Sequence, residues 1–272
     1  MQTLTEIKRL LEERGFSPRR ALGQNFLIDH NLITKLVEAS GVGPGDTVLE
    51  VGPGTGTLTE ALLDRGARVI ACEIDKDLCS LMRDRFGQQA GLTLVEGDCL
   101  ETKRTLAPDL AEALGENKPF HLVANLPYGA ATPLLLILMT QLPACRSMFV
   151  TIQREVGDRL LARPGTDAFG SISIVARITT NMKTIATLSP SCFWPRPQVD
   201  SMMLGATRKD TEGVNLPALA DLCQKLFTQR RKQIRRACTN LGLKLPEDIE
   251  TTTRVSGLEP ETVVRLLQAQ ET

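Results

Sequence analysis

The chain has 272 residues, and its 32 lysines and arginines balance its 32 aspartates and glutamates, so the formal net charge is zero. This length suffices for one large core with a small appendage, and no apolar run approaches the ~20 residues that span a bilayer. The first helical stretch, TLTEIKRLLEER, contains acids that argue against a transit peptide, and an apolar signal core is lacking. We therefore expect a cytoplasmic protein without a membrane partner.

Seven cysteines, an odd number, are scattered along the chain without a C-x-x-C pair. The two histidines, His30 and His121, add no cluster with the spacing of metal ligands. This pattern is typical of a reduced protein whose cysteines pack as small apolar residues, and we expect no metal.

From about Asp46 onward, strand and helix patterns alternate, which predicts a Rossmann-like α/β fold with a mostly parallel sheet. Strands are expected at the apolar runs TVLEVG, RVIACEID, LTLVEGD, FHLVANLP and RSMFVTIQ. Helices are expected at LTEALLDRG, DLCSLMRDRFG and REVGDRLLAR. Thr132-Pro133 also matches a helix start ahead of LLLILMTQL, since a capping residue is followed by proline in the first turn.

After Arg163 the alternation is less regular. SISIVARI is compatible with a helix or a strand, whereas MKTIATLSP and QVDSMMLGATR predict a final antiparallel pair. The polar stretch KDTEGVNLP indicates a linker, and the remainder of the chain has helical periodicity. We predict an α/β domain over residues 1–207, with a helical lead-in over 1–45, and a small helical domain over 208–272.

The stretch EVGPGTG lies between the first expected strand of the α/β domain and the helix that follows it. Gly52, Gly54 and Gly56 permit a sharp turn and let a ligand lie against the main chain. A dinucleotide fingerprint needs its third glycine where this chain has Thr57, so the spacing favours a ligand without phosphates. By itself the turn remains compatible with nicotinamide, with flavin, or with no ligand at all.

Two acids follow at the carboxyl ends of the next two expected strands, where open α/β sheets bind ligands. Glu73 is placed to accept hydrogen bonds from two ribose hydroxyls, and Asp98 is placed to accept one from an adenine amine. Each residue alone could equally be a solvated acid at a strand end. The ordered set EVGPGTG, EID and EGD favours an adenosine cofactor with a positively charged sulfur, because acids would repel a pyrophosphate.

The motif Asn125-Leu126-Pro127-Tyr128 ends the fourth expected strand. An adenine amine is a poor nucleophile, since its lone pair is delocalised into the ring, and its two N–H groups must be held by acceptors. The Asn125 side chain and the Leu126-Pro127 backbone supply carbonyl oxygens, and Pro127 removes a competing donor. Tyr128 offers a flat face on which an extruded base can stack. In isolation, the same residues would fit an ordinary strand-to-turn junction.

A further aromatic candidate lies in SPSCFWPRPQVDS, where prolines stiffen a loop that contains Phe193 and the sole tryptophan, Trp194. Phe193 could form the wall opposite Tyr128 in a clamp for the base. Proline-flanked aromatic residues are more often packed against the body of the protein, and this alternative stays open.

The stretch KLFTQRRKQIRR, residues 225–236, carries six cations and no acid although the whole chain is neutral. A smaller basic cluster of Arg14, Arg19 and Arg20 precedes the glycine turn. Local field rather than net charge governs the binding of a polyanion, so both stretches indicate contacts with nucleic acid. A solvated helix face is the alternative for each of them.

Taken together, these motifs resemble those of the ribosomal RNA adenine dimethyltransferases, specifically the universal small-subunit branch. The resemblance extends from about Arg20 to Arg236 and rests on many motifs in a fixed order. They are LGQNFLID (22–29), VLEVGPGTGTLT (48–59), EID (73–75), EGD (96–98), NLPY (125–128), QREVGDRLLARPG (153–165), FWPRPQVDS (193–201) and RRKQIRR (230–236).

The resemblance implies a class I methyltransferase fold and S-adenosylmethionine as the cofactor. It also implies an enzyme that adds two methyl groups to each of two neighbouring adenines, in a hairpin loop near the 3′ end of small-subunit ribosomal RNA. Separately from the resemblance, we expect a monomer. The partner would be this RNA or the pre-ribosomal small subunit, with a role in its assembly.

The same resemblance assigns roles to individual residues by motif position. Cofactor contacts would come from Asn25, Leu27, Gly52, Gly54, Glu73, Asp98 and Asn125. The target amine and base would be held by Asn125, Leu126, Pro127, Tyr128 and Phe193. A basic helix over 225–236 would grip the RNA backbone through Arg230, Arg231, Lys232, Arg235 and Arg236.

One departure from the family pattern follows directly after Tyr128. The family commonly has Asn-Ile-Ser-Thr there, whereas this chain has Gly129-Ala130-Ala131-Thr132, so the loop is expected to be less restrained. Two other functions stay open: a resistance-type methylase that acts on a single adenine of large-subunit RNA, and an assembly factor without catalysis. NLPY and RRKQIRR favour the small-subunit enzyme, and the intact cofactor motifs argue against lost activity.

Overall fold

The computed structural model of the protein describes residues 1–19 and 22–271, so Arg20 of the second basic cluster lies outside the described residues. Strands and helices alternate along most of the chain. The strands are β1 (Phe26–Leu27), β2 (Thr47–Val51), β3 (Arg68–Glu73), β4 (Leu92–Glu96), β5 (Leu100–Thr102), β6 (Thr105–Leu106), β7 (Phe120–Asn125), β8 (Cys145–Gln153), β9 (Thr180–Leu188), β10 (Phe193–Trp194) and β11 (Ser201–Arg208). The helices are α1 (Leu4–Glu12), α2 (His30–Ser40), α3 (Thr57–Asp64), α4 (Lys76–Phe86), α5 (Pro108–Leu114), α6 (Tyr128–Thr140), α7 (Arg154–Leu161), α8 (Ser171–Thr179), α9 (Leu216–Phe227), α10 (Ile234–Leu241) and α11 (Pro260–Glu271).

The central sheet has seven strands in the order β4-β3-β2-β7-β8-β11-β9. Strands β4, β3, β2, β7 and β8 run parallel, whereas β11 is antiparallel to both of its neighbours, β8 and β9. The predicted mostly parallel sheet with an antiparallel last strand is therefore confirmed. The strand order reverses between β2 and β7, and such switch points open a crevice at the carboxyl ends of the strands.

The sheet is covered on both faces because successive side chains of a strand point in opposite directions. Val48 packs into a cluster with α2 and α3, whereas its neighbour Leu49 belongs to a cluster with α5, α6 and α8. The same alternation explains why the buried strands read as continuous apolar runs in the sequence.

The helix after the NLPY motif begins at Tyr128, and the expected start at Thr132-Pro133 is wrong. Pro127 has φ −56°, and its carbonyl accepts hydrogen bonds from the backbone N–H groups of Ala130 and Ala131, so the first turn forms there. Pro133 lies inside α6, where the missing backbone donor is offset by an almost entirely apolar helix buried in the core.

The basic stretch 225–236 is not one helix, contrary to the expectation from its sequence. Helix α9 ends at Phe227 and α10 begins at Ile234, with a turn between them. In this turn the Lys232 carbonyl accepts from Val255 N at 3.0 Å, and the Arg230 carbonyl accepts from Ser256 N at 2.9 Å. These bonds to a distant segment hold the turn in a non-helical conformation.

The ambiguous stretch SISIVARI is helical, as part of α8. Helices α9 and α11 pack on α8, and Leu219 of α9 lies in the same core cluster as Leu134 of α6. The C-terminal helices therefore share a core with one layer of the sheet, and the division at residue 207 stays a prediction. Across the described ranges, every helix is too short or too polar to cross a bilayer.

Arg208, the last residue of β11, fixes the end of α6 that lies away from Tyr128. Its guanidinium donates to four backbone carbonyls: Cys145 at 2.7 Å, Met139 at 3.1 Å, Leu142 at 2.9 Å and Leu138 at 2.5 Å. A cation at a helix C-terminus also interacts favourably with the helix dipole. The helix that carries Tyr128 is thereby attached to the antiparallel edge of the sheet.

Candidate active site

A cavity of about 410 Å³ opens at the carboxyl ends of β2, β3, β4 and β7, beside the switch point of the sheet. It brings together ten residues that the sequence nominates from five separate motifs. They are Asn25, Leu27, Gly52, Gly54, Glu73, Asp98, Asn125, Leu126, Pro127 and Tyr128. Phe193 is not part of this lining, and the basic turn lies elsewhere.

Two glycines of the turn after β2 are required by their backbone and by their neighbours. Gly52 has φ +72° and Gly54 has φ +61°, values that residues with a side chain rarely adopt. A Cβ on Gly52 would lie 2.9 Å from Cγ of Pro127, and one on Gly54 would lie 2.8 Å from Cε1 of Phe26. The glycine turn is therefore packed directly against the motif after β7.

Glu73 is a buried acid, 5% exposed, at the end of β3. Its Oε2 accepts from Gly54 N at 3.2 Å, and its Oε1 accepts from Asp75 N at 3.0 Å. Burial raises the pKa of Glu73, and the two backbone N–H groups act in the opposite direction. The carboxyl is thus held in a fixed orientation at the cavity wall, as an acceptor for hydroxyl groups requires.

Asp98 and Ile74 form a second part of the wall. Asp98 is exposed, and its Oδ1 accepts from Leu100 N at 2.9 Å. Ile74, which the sequence reasoning missed, is apolar yet 46% exposed, and it lines the cavity. An exposed apolar side chain beside an acceptor suits a flat ring that carries an amine. The only sequence signal was its place between Glu73 and Asp75 at a strand end.

Asn25 and Asn125 are joined by a hydrogen bond across 100 residues of sequence. Nδ2 of Asn125 donates to the backbone carbonyl of Asn25 at 2.9 Å. A carbonyl can only accept, so this bond assigns the amide nitrogen of Asn125 to that side and leaves Oδ1 on the other. Within the described residues Oδ1 receives no hydrogen bond.

Leu126 supplies a second acceptor next to the first. Its N–H donates to the Thr151 carbonyl at 3.0 Å, which continues the pairing of β7 with β8. Its own carbonyl receives no donor from the described part of the chain, because Ala130 and Ala131 both donate to Pro127 instead. The end of β7 therefore presents two adjacent oxygens without partners.

Tyr128 begins α6 and is half-buried, and its hydroxyl lies 2.8 Å from Oγ of Ser201. Burial raises the pKa of the Tyr128 phenol, and the hydrogen bond with Ser201 acts in the opposite direction. The ring lines the cavity together with Asn125 and Leu126. Sequence reasoning did not single out Ser201, since its role depends on a contact between distant strands.

Phe193 is 1% exposed and does not reach the cavity. It pairs with Leu27 across the small sheet of β1 and β10, and its side chain packs with Val123 and Met203. The structure therefore agrees with the alternative given above, in which Phe193 packs against the body of the protein. A stacking role for Phe193 stays a prediction without support from this arrangement.

The N-terminal basic cluster is engaged with acids of α4 and the residue that caps it. Arg14 pairs with Asp84 at 2.6 Å, and Arg19 pairs with Asp75 at 3.0 Å and with Asp77. Gln24 also donates to Asp75 Oδ2 at 2.8 Å. These contacts anchor the segment that carries Asn25 over the cavity, so the two described arginines serve the cofactor side of the site rather than a free basic surface.

The basic turn between α9 and α10 has a different character. Arg231, Lys232, Arg235 and Arg236 are exposed and make no ion pair with the described residues. Arg230 is half-buried and donates to the Asp167 carbonyl at 3.1 Å, so it supports the turn. Arg231 and Lys232 of the turn and Arg235 and Arg236 in the first turn of α10 together form an exposed group of cations at which a polyanion can displace counterions.

A mostly parallel sheet, a glycine turn after its first strand and a buried acid after the next strand define a class I methyltransferase. The chain matches the ribosomal RNA adenine dimethylase family over residues 15–272, and it belongs to that family. The family expected from the sequence motifs is therefore confirmed.

Two bacterial relatives share one name with each other. The "Ribosomal RNA small subunit methyltransferase A" of Moorella thermoacetica is 36% identical over 92% of this chain and 88% of that protein. The protein of that name in Mycobacterium tuberculosis is 41% identical over 86% of this chain and 74% of that protein. A solved structure of a dimethyladenosine transferase from Plasmodium falciparum, 23% identical, covers 89% of this chain and 96% of its own with a TM-score of 0.73, which supports the fold.

Glu50 is a second buried acid in the cavity wall that the sequence reasoning did not nominate. It is 2% exposed, and its Oε2 accepts from Thr59 Oγ1 at 2.6 Å. Burial raises the pKa of Glu50 to about 8, and the nearby Glu73 adds to the effect. Folded Glu50 therefore retains a proton over a pH range in which the unfolded chain releases it.

We expect the free energy of unfolding to fall as the pH rises from about 5 to about 8, because only the unfolded state gains a favourable ionised Glu50. Glu50→Gln keeps an acceptor for Thr59 but cannot ionise. The decrease in the free energy of unfolding between these two pH values, on the order of 4 kcal/mol in the wild type, should therefore be absent from this variant. Urea unfolding of both proteins at the two pH values measures this difference.

The exposed Glu112 of α5 provides the control, since Glu112→Gln should leave the pH dependence of stability unchanged. A Glu50→Gln variant that differs from the wild type by the same amount at both pH values would contradict the buried, protonated carboxyl.

Proposed function

We propose that this protein transfers methyl groups from S-adenosylmethionine to the N6 amines of two adjacent adenines in a hairpin loop near the 3′ end of small-subunit ribosomal RNA. The observation that carries the proposal is the pair of unpartnered oxygens at the end of β7, Oδ1 of Asn125 and the carbonyl of Leu126. They match the two N–H groups of an exocyclic amine.

The cavity fits the proposed cofactor in size and in its donors and acceptors. Glu73 would accept from the ribose hydroxyls, Asp98 from the adenine amine, and Ile74 would pack on the adenine ring. Asn25, Leu27, Gly52 and Gly54 would line the remainder. When bound, S-adenosylmethionine supplies a methyl group on a positively charged sulfur, and the acids Glu73 and Asp98 of the cavity wall are compatible with that charge.

The target amine becomes reactive when its lone pair is directed at this methyl group. Asn125 Oδ1 and the Leu126 carbonyl would accept one N–H each, which fixes the amine nitrogen and turns its lone pair toward the cofactor side. The amine becomes strongly acidic only once it is methylated, so its proton can pass to water without a tuned base. Consistent with this, no histidine is found among the residues that line the cavity.

Tyr128 would hold the base itself by stacking, a contact worth about 1–3 kcal/mol per base. An adenine in a loop is already unstacked in part, so little energy is needed to extrude it. The basic turn would bind RNA phosphates, with the small-subunit RNA or the pre-ribosomal small subunit as partner. We place this activity in the cytoplasm and assign it to a monomer with a role in small-subunit assembly.

A large-subunit methylase of the resistance type is the main alternative with catalysis. A purified protein incubated with each ribosomal subunit and tritiated S-adenosylmethionine should label only small-subunit RNA. Mass spectrometry should then find two dimethylated adenines side by side. Label confined to large-subunit RNA would refute the proposed substrate, and no label in either subunit would favour an assembly factor without catalysis.

Replacing the amine acceptor tests the chemistry. Asn125→Ala should lower the rate of methylation by at least about a hundredfold, since one of two positioned groups at the reacting nitrogen is lost. Cofactor affinity, measured by calorimetry, should change only slightly because Glu73 and Asp98 remain. Asn181→Ala, an exposed amide on β9, is the control and should behave as the wild type. Full activity of Asn125→Ala would contradict the proposed role of Asn125 in holding the target amine.

The RNA contact of the basic turn is tested by its salt dependence. Replacing both Arg231 and Arg235 with glutamine should weaken RNA binding and make the plot of log affinity against log salt shallower by about 2 units. A charge-matched control replaces Arg65, at the C-terminal end of α3, and Arg68, the first residue of β3, both of which are exposed. If the slope of log affinity against log salt is unchanged in the first variant, Arg231 and Arg235 do not contact RNA.

A further inference from the structure

Ser201 is a buried residue behind Tyr128 of the cavity wall, and the proposed function does not use it. It is 0% exposed and begins β11, where it is paired with Gln153 of β8 and with Leu188 of β9. Its Oγ lies 2.8 Å from the hydroxyl of Tyr128, 73 residues away in the sequence. The position of Ser201 is therefore fixed by strands on both sides.

The backbone of Tyr128 is held on one side by Pro127, whose φ is −56°, and on the other by the first turn of α6. The orientation of the ring still depends on two side-chain torsions. The residues that follow, Gly129, Ala130 and Ala131, carry no polar side chain that could hold the phenol. Of the described residues, Ser201 alone forms a hydrogen bond with the Tyr128 hydroxyl.

We propose that Ser201 is a positioning residue for the target adenine, because its hydrogen bond fixes the phenol oxygen and hence the direction in which the Tyr128 ring, on which the base stacks, points from the backbone. The inference rests on the proposed function, in which Tyr128 receives the base. Loss of the bond lets the ring swing about the Cα–Cβ bond of Tyr128, so the base stays bound while its amine no longer lies in line with the methyl group. The effect falls on the rate of transfer more than on RNA affinity.

Strand β8 relates Ser201 to the amine acceptor. Ser201 and Asn125 lie next to the same end of strand β8. Asn125 is opposite Thr151 of this strand, and Ser201 is opposite Gln153. The stacking residue Tyr128, held through Ser201, and the amine acceptor Asn125 are therefore both positioned by strand β8.

A double-mutant cycle tests the proposal on single-turnover methylation of small-subunit RNA with saturating cofactor. Ser201→Ala and Tyr128→Phe should each lower the rate by about fivefold to tenfold, as expected for one hydrogen bond. The double variant should be no slower than the slower single variant, because both changes remove the same bond. The KM for RNA should change by less than about twofold, since phosphate contacts supply most of the RNA affinity.

Ser147→Ala is the matched control. Ser147 is also buried on the sheet, 6% exposed, and its Oγ is 2.7 Å from Nδ1 of His121. It is opposite Thr207, six positions from Ser201 and about 20 Å away along β11. This variant should lose comparable thermal stability and no methylation rate.

A spectroscopic readout tests the hydrogen bond without catalysis, since Tyr128 is the only tyrosine of the chain. Ultraviolet resonance Raman spectra contain a tyrosine doublet whose intensity ratio reports hydrogen bonding of the phenol. Ser201→Ala should change this ratio, and Ser147→Ala should not.

Three results would overturn the proposal: multiplicative losses in the double variant, a rate loss in Ser201→Ala no larger than in Ser147→Ala, or an unaltered Raman doublet. If the wild type transfers no methyl group at all, the proposed function has failed, and the Raman comparison alone then decides whether Ser201 holds the ring.

Discussion

The hydrogen bond from Nδ2 of Asn125 to the backbone carbonyl of Asn25, at 2.9 Å, orients the group on which the proposed chemistry depends. An amide side chain can present either its donor or its acceptor, and only the acceptor can bind an amine. Because Asn25 occupies the nitrogen, the oxygen has one orientation left. The segment that carries Asn25 is itself anchored to Asp75 through Arg19 and Gln24, so the orientation of the Asn125 amide depends on contacts that reach the N-terminus of α4.

The two halves of the site are also joined by packing. Pro127 lies against Gly52, where any Cβ would be within 2.9 Å of the proline ring, so the cofactor turn and the target motif cannot shift independently. At the C-terminal end of α6, the helix that begins at Tyr128, Arg208 binds four carbonyls. The proposed methyl transfer needs donor and acceptor aligned to within about half an ångström, and these rigid connections would hold that alignment before substrate binds.

Features set by short-range pattern were predictable from the sequence, and features set by distant contacts were not. The parallel sheet, the glycine turn and the acid Glu73 follow from periodicity and spacing. The burial of Phe193 depends on its pairing with Leu27, and the turn within 225–236 depends on bonds to residues 253–256. The predicted helix start at Thr132 was wrong because the local capping signal was weaker than the backbone geometry that Pro127 imposes.

Two carbonyl oxygens at the end of β7 also determine which bases the proposed site can accept. A uracil or the O6 edge of guanine would place its own oxygen against Asn125 Oδ1 or the Leu126 carbonyl, leaving acceptors face to face without a proton. Only an exocyclic amine satisfies both oxygens, so the cavity selects a chemical group rather than a sequence. The choice of particular adenines must then come from where the RNA backbone is held, which is the role that the exposed cations of the α9–α10 turn can fill.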